Sequence, residues 1–459
     1  MPTSILWFRR DLRLGDQPAL LAARDDVGRE GSVLPVFVLD PRIWGPSGPP
    51  RRQFLLDCLA ELDGALNGAL VLRSGDPTGV VPELAREVEA ASVHVSTDAG
   101  PYGRQRDVAV EQALRDVPLV RTGSPYAVTP GRVLKDDGTP FRVFSPFARA
   151  WRAHGWHAPA PRPRRAPWTT GVRSEDPPPP QDVDARLPPA GEAAGLAAWR
   201  RFRDERLLGY QDVRNLPGTD GTSRLSAYLK YGCVHPRTLL ADLADREVRE
   251  RAREGVETFE NELAWRDFYA DVLWHRPETH KQSFNPQMAG LRYDTDREAD
   301  ERFAAWAEGR TGFPIVDAGM RQLLGEAWVH NRVRMIVASF LTKDLHVEWW
   351  RGARYFLQHL VDGDLASNNH GWQWVAGTGT DPSPYYRVFN PITQGKKFDP
   401  DGEYVRRWVP ELRDLPAKHV HEPWTAPDGI PDGYPEPIVD HAAERQVALQ
   451  RYEQVRTGA

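Results

Sequence analysis

The chain has 459 residues with 59 Lys+Arg against 64 Asp+Glu, a formal charge of −5, and 40 % hydrophobic residues. That composition excludes a disordered chain and supplies enough length for roughly two to four domains with large cores. Cys58 and Cys233 lie far apart and outside any Cys-x-x-Cys or His/Cys cluster, so a disulfide framework, a structural zinc and an iron–sulfur centre are excluded and both read as buried thiols.

Met1 opens a stretch in which three arginines follow a four-residue apolar run, the wrong order for a secretory signal. No apolar stretch reaches the length of about 18 residues that a membrane span needs. The expectation is a cytoplasmic protein with no membrane partner. Residues 1–125 alternate β-type runs (ILWF at 5–8, VLPVFVL at 33–39, ALVL at 69–72, VHV at 93–95) with helical stretches starting near Gln17, Arg51, Gly79 and Gly103. This is the rhythm of an α/β domain with a parallel, Rossmann-like sheet. No GxGxxG follows the first strand, so a standard dinucleotide site is not expected there.

Residues 126–195 read as an interdomain linker, because 10 of the 33 residues from Ala158 to Ala190 are proline, which favours an extended connector. From 196 to 459 the pattern is mostly α-helical, with candidates at Leu196–Leu208, Ser223–Leu229, Val256–His275, Asp317–Leu324, Val329–Leu341 and Trp350–Leu360. Of the 16 tryptophans, 11 fall from Trp199 onward.

Three constellations in this helical part carry chemistry. Glu262, Trp265, Arg266 and Tyr269 recur at helical spacing, putting an acid, a cation and two aromatics on one face, although Glu262 and Arg266 also make an ordinary i, i+4 pair. DGDLASNNHGWQW at 362–374 places Asp362 and Asp364 before Asn368 and Asn369. No third acid follows at calcium-loop spacing, so no metal is expected and the amides fit a heterocycle better; Gly363 and Gly371 suit a tight turn or a ligand's close approach. GTSRLSAYL at 221–229 offers hydroxyls and N–H groups at a helix start, for phosphate or for simple N-capping by Thr222 or Ser223. Together they point to a phosphate-bearing aromatic cofactor.

These segments, with WFRRDLRL at 7–14, PYGRQRD at 101–107, NELAWRDFY at 261–269, GRTGFPIVDAGMRQL at 309–323, WVHNRVRMIVASFLTKDL at 328–345 and YYRVFNPITQGKKF at 385–398, resemble the photolyase/cryptochrome family. Within it the likeness is to microbial class I cyclobutane pyrimidine dimer photolyases, and it runs in order along the chain to about Trp424. The resemblance implies FAD, active as its reduced anion, with Tyr210, Thr222, Ser223, Arg224, Leu225 and Ser226 near its phosphates. Asp362, Gly363 and Asp364 would run along ribose and ring, and Arg334 would pair with Asp362. Asn368 falls where the family faces flavin N5; plant-type cryptochromes commonly carry Asp there, so Asn368 favours repair over the alternative, a blue-light sensor without repair activity. The 35 residues after Trp424, too few for an extended signalling tail, point the same way.

The implied reaction is electron donation from photoexcited reduced FAD to a flipped-out dimer in ultraviolet-damaged DNA, ring scission and return of the electron. Glu262 and Asn331 would hydrogen-bond the damaged bases beside Trp265 and Met335. Arg214, Arg266, Arg332 and Gln394 would face the DNA backbone or lesion rim, and Phe259 and Tyr269 complete the DNA-facing set. Met335, in place of a His pair, sets the chain apart from (6-4) photolyases. No protein partner is implied, and a monomer is expected.

Two departures from the family pattern stand out. Trp372 and Trp349 match the first two members of the electron-transfer chain, but no Trp lies between His275 and Ala305, where the terminal donor is usual; Tyr293 or Trp350 would replace it, and photoreduction would be slow. Phe259 stands where many relatives have Trp. For an antenna pigment, Arg51 and Asp98 resemble the 8-hydroxy-5-deazaflavin variant more than the methenyltetrahydrofolate one.

Overall fold

Each helix of the N-terminal domain begins with proline in its first turn, where a missing N–H costs nothing: Pro18–Val27, Pro49–Ala65, Pro77–Glu87 and Pro101–Leu114. β1 (Thr3–Phe8) precedes them, β2 (Ser32–Leu39), β3 (Val71–Ser74) and β4 (Ala90–Val95) run between them, and β5 (Leu119–Arg121) follows. All pair in parallel in the order β3-β2-β1-β4-β5. Every residue of β1 is buried, the pattern of a strand covered by helices on both faces, which is why its sequence reads as an apolar run without alternation. The computed structural model describes residues 2–163, 167–381 and 386–457; residue 385 of the 385–398 motif lies outside them.

Among its described residues the linker holds the helix Phe144–His154, which the proline count did not foretell, and the start of the helix Gly191–Glu205. Its proline-rich part runs extended along the α/β domain, with Thr169 N–H on the Val33 carbonyl and Glu175 N–H on the Leu72 carbonyl, both 2.9 Å. Beyond it the described chain is helical. Val256–His275 proves to be the last two-thirds of a longer helix, Arg246–His275, broken at Ala252. The remaining helices that matter below are Pro314–Glu326, Asn331–Lys343, Trp349–His359, Leu365–Ala376 and Pro391–Phe398. No described helix is long and apolar enough to cross a membrane.

Packing divides the chain into two compact units: residues 1–183, 188–208 and 223–277, and residues 184–187, 209–222 and 278–459. Residues 196–208 and 223–277, read from the sequence as part of the helical domain, pack in the first unit. In the first unit Cys58 and Cys233 are both fully buried with their Sγ atoms 3.6 Å apart; burial and the neighbouring sulfur raise the Cys58 thiol well above its ordinary value. The second unit is built on Trp306, Phe313, Phe340, Trp349, Phe356, Trp372 and Tyr404, all buried in one cluster.

Candidate active site

In the second unit, Asp362 lies in the turn after the Trp349–His359 helix, and Val361 N–H anchors that turn on the Ala327 carbonyl at 2.8 Å. Asp362 is 6 % exposed. Its Oδ2 accepts from Arg334 Nη2 at 2.7 Å, and Arg334 Nε donates to the Val329 carbonyl at 2.8 Å, so the expected Arg334–Asp362 pair is present. The other oxygen, Oδ1, is buried and has no hydrogen-bond partner among the described residues. Buried polar atoms are nearly always satisfied, and this one faces a need that an incoming N–H or O–H would meet.

Asp364 caps the Leu365–Ala376 helix by accepting from Ser367 N–H at 3.0 Å. That helix carries Asn368 and Trp372. Gly371 sits inside it, not in a turn, and a Cβ there would meet nothing within 4 Å; the turn reading falls and the open-face reading stands. Trp372 is seated by Gly352 of the preceding helix, where an added Cβ would lie 2.3 Å from the indole. A glycine in mid-helix costs about 1 kcal/mol and calls for such a packing reason, a signal the sequence reading passed over. Trp372 meets Phe356 edge-on at 5.1 Å and Trp306 at 6.0 Å, and Trp349 is buried in the same cluster. Trp350 is half-buried beneath the Arg354 guanidinium, 5.5 Å from its ring. The Tyr293 hydroxyl is buried without a hydrogen-bond partner among the described residues, and burial holds its phenol well above the usual range.

Asn331 and Met335 are one turn apart on the Asn331–Lys343 helix, which His330 caps by accepting from Arg332 N–H at 3.1 Å. Arg332 holds Asn215 Oδ1 through two nitrogens at 2.9 and 3.2 Å and lies 4.5 Å from the Phe398 ring. Burial, and secondarily the neighbouring Arg214, lower the Arg332 pKa. Arg214 in turn lies 5.8 Å from the Tyr210 ring. Two adjacent guanidinium groups make a local excess of positive charge that suits phosphate. Gln394 is half-buried on the Pro391–Phe398 helix, which Asn390 caps. His330 and Asn215, which orient this group, were not singled out in the sequence; a residue acting on a neighbour's backbone or guanidinium has no motif of its own.

In the first unit the Glu262 stripe divides. Glu262, Trp265, Arg266 and Tyr269 are all half-buried, and Trp265 stacks on Phe144 at 3.7 Å and 7°. Arg266, expected to face DNA, is turned inward. Its guanidinium donates to the Pro125 and Leu229 carbonyls at 2.9 and 3.0 Å and lies 4.4 Å from the Tyr126 ring. Phe259, also expected at the lesion, is 3 % exposed and packs on Trp199 and Phe202 at 5.5 and 5.0 Å. A helix buried on more than one side gives its apolar and cationic residues to whichever neighbour is closest.

The hydroxyl-rich segment is corrected in its local structure. The helix is Ser226–Tyr231, with Leu225 at its N-cap position and no side-chain cap, so neither Thr222 nor Ser223 is its N-cap. Ser223 Oγ instead accepts from Leu225 N–H at 3.4 Å, and Arg224 has positive φ (50°). Thr222 belongs to the second unit and Ser223–Ser226 to the first.

Of the antenna pair, Arg51 is half-buried and its Nε has no hydrogen-bond partner among the described residues, whereas Asp98 is bound by Arg106 at 3.2 Å and Gly100 N–H at 3.0 Å.

With this geometry in view, comparison with known proteins gives two family models in succession: "DNA photolyase" over residues 4–165 and "FAD binding domain of DNA photolyase" over residues 259–454. A deoxyribodipyrimidine photo-lyase of Streptomyces griseus is 41 % identical over 99 % of both chains. The structure of a class III photolyase from Agrobacterium tumefaciens superposes with a TM-score of 0.92 at 38 % identity, covering 100 % of this chain and 98 % of that one. A cryptochrome of Synechocystis superposes with a TM-score of 0.90 at 26 % identity, covering 98 % of this chain and 99 % of that one.

Proposed function

This chain belongs to the DNA photolyase family, and on that premise we propose that its helical residues hold reduced FAD beside Asp362 and Asn368 to repair cyclobutane pyrimidine dimers in DNA with light. The fold alone does not choose between repair and sensing, since a photolyase and a cryptochrome superpose on it almost equally well. The higher identity of the photo-lyase relatives and the neutral amide at Asn368 favour repair. The observation that carries the cofactor assignment is the Arg334–Asp362 pair with its second carboxylate oxygen unsatisfied in a buried position. A ring or ribose donor fits it, and the open side of Gly371 leaves room for close approach.

When bound, reduced FAD supplies the light-driven electron and takes it back after ring scission. The protein's own groups do the rest. Arg334 holds Asp362 aimed through the 2.7 Å contact to its Oδ2. Asn368 offers an amide, not a proton-donating acid. Asn331 and Met335 present a polar and a soft apolar contact one turn apart, suited to a pyrimidine edge and face. Arg214 and Arg332 supply charge for the phosphates flanking the lesion.

Trp372 and Trp349 form the inner part of the reduction route. Tyr293 is a poor outer donor, because an oxidised tyrosine must lose its phenolic proton and this hydroxyl has no acceptor among the described residues; photoreduction is therefore slow while repair by pre-reduced enzyme is intact. Arg51, with a buried unpartnered Nε, is the residue here best suited to an antenna pigment, a deazaflavin before a folate. Loss of thymine dimers from ultraviolet-treated oligothymidine under blue light, and none in darkness, tests the assignment. A protein that retains reduced FAD yet leaves the dimers intact would overturn it in favour of sensing.

A further inference from the structure

Asn368 Nδ2 donates to the Ala353 carbonyl at 3.1 Å and to Asn369 Oδ1 at 2.9 Å, and Asn369 Nδ2 donates to the His280 carbonyl at 2.7 Å. A backbone carbonyl can only accept, so both amides must turn their nitrogens toward these anchors, and the orientation of each is determined by chemistry. Asn369 is 6 % exposed.

Its anchor is rigid. His280 follows Thr279, whose carbonyl accepts from Gln373 Nε2 at 2.7 Å and whose hydroxyl meets His370 Nε2 at 2.9 Å. His370 Nδ1 lies 2.9 Å from the Ala366 carbonyl and must carry the ring proton, so the threonine hydroxyl is the donor to Nε2. Burial pushes His370 down to about 4, which keeps it neutral. Three residues of one helix, Asn369, His370 and Gln373, thus clamp the 279–282 segment, and that segment clamps Asn369.

We propose that Asn369 is a positioning residue that locks the Asn368 amide with its oxygen, not its nitrogen, presented to the flavin, biasing the site toward the flavin form that carries a proton on N5. This rests on the reading that Asn368 faces N5. With both hydrogens of Nδ2 engaged, Asn368 can accept from an N5–H but cannot donate to an unprotonated N5 without breaking two hydrogen bonds. Oxidised flavin, which lacks that proton, meets a lone pair; reduced flavin meets an acceptor. The bias raises the midpoint potential of the bound cofactor.

The test is potentiometric titration of the FAD-loaded protein. Asn369→Ala frees the Asn368 amide to rotate, and the ratio of reduced to oxidised binding should fall about tenfold, a drop of about 30 mV for a two-electron couple. Asn368→Ala is titrated beside it. If Asn368→Ala leaves the potential unchanged, the N5 reading itself fails. If Asn368→Ala moves it and Asn369→Ala does not, the positioning role is overturned while the N5 reading stands. Should Asn369→Ala not retain FAD, infrared difference spectra of wild-type protein with isotopically labelled asparagine decide. A side-chain carbonyl stretch, absent in Asn368→Ala, that falls on reduction supports the lock; a change confined to the amide N–H deformation overturns it.

Discussion

The carboxyl ends of β1 and β4 and the Asp362 corner of the helical unit are both dense in charge, yet they handle it oppositely. At the sheet, where the order reverses and open α/β folds commonly bind ligands, the protein saturates itself. Arg9 bonds Asp107 and the Ser96 carbonyl, Ser96 Oγ donates to Asp11 at 2.6 Å, and Arg106 reaches Asp98 and Asp107 at 3.2 and 2.9 Å. At the corner one carboxylate oxygen is satisfied and its twin is not, and the Asn368 amide has both hydrogens engaged by the protein but its oxygen by none among the described residues. Charge spent internally stabilises a fold; charge held half-satisfied by rigid neighbours is what a cofactor site needs.

Removing one partner from each region is the strongest way to break this contrast. Arg334→Met strands a buried carboxylate and should cost about 3–5 kcal/mol of stability together with FAD retention. Arg106→Met should cost a similar amount while FAD, followed by its absorbance, stays bound; loss of flavin from both variants would erase the distinction. Next in size, Phe259→Ala should cost about 3 kcal/mol in denaturant unfolding because Phe259 is a core residue, and the flavin potential should not move.

A smaller effect sharpens the contrast through pH. Lys343, unlike the sheet arginines, has its Nζ on the Arg387 carbonyl and 4.3 Å from the Tyr386 ring, and burial lowers it to about 7 despite the opposing charge of Asp344. Between about pH 7 and 10 the unfolded chain holds a proton that the folded one has released, so this contribution is full above the unfolded pKa of about 10.4 and is lost as pH falls through about 7. Lys343→Met should flatten that slope in urea titrations run at several pH values. Smallest, Arg332→Gln should weaken DNA binding by about 1 kcal/mol and reduce the salt slope by about one phosphate contact. An unchanged slope would assign Arg332 to packing on Asn215 and Phe398.

Much of the site was legible in the residues themselves. Asp362, Asp364, Asn368 and Trp372 sit on one turn and the helix that follows it, so their order alone brings them near one another, and the Arg334–Asp362 pair emerged as the family likeness implied. The packing of Arg266 and Phe259 was not legible, because helical spacing tells which residues share a face without telling what covers that face. Asn369 stood beside Asn368 in the sequence, but its role depends on the His280 carbonyl, 89 positions away.

Composition, the apolar runs of β1 to β4, the prolines opening the first helices and the DGD and NN motifs determined the element types, the parallel sheet and the chemical class of the site, because these are local properties of chain and solvent. The tertiary structure alone decided which carboxylate oxygen stays unsatisfied, which way an amide turns, that Cys58 and Cys233 meet, and that Arg266 serves two carbonyls. Each of those is a choice among partners distant in sequence, settled by packing in three dimensions.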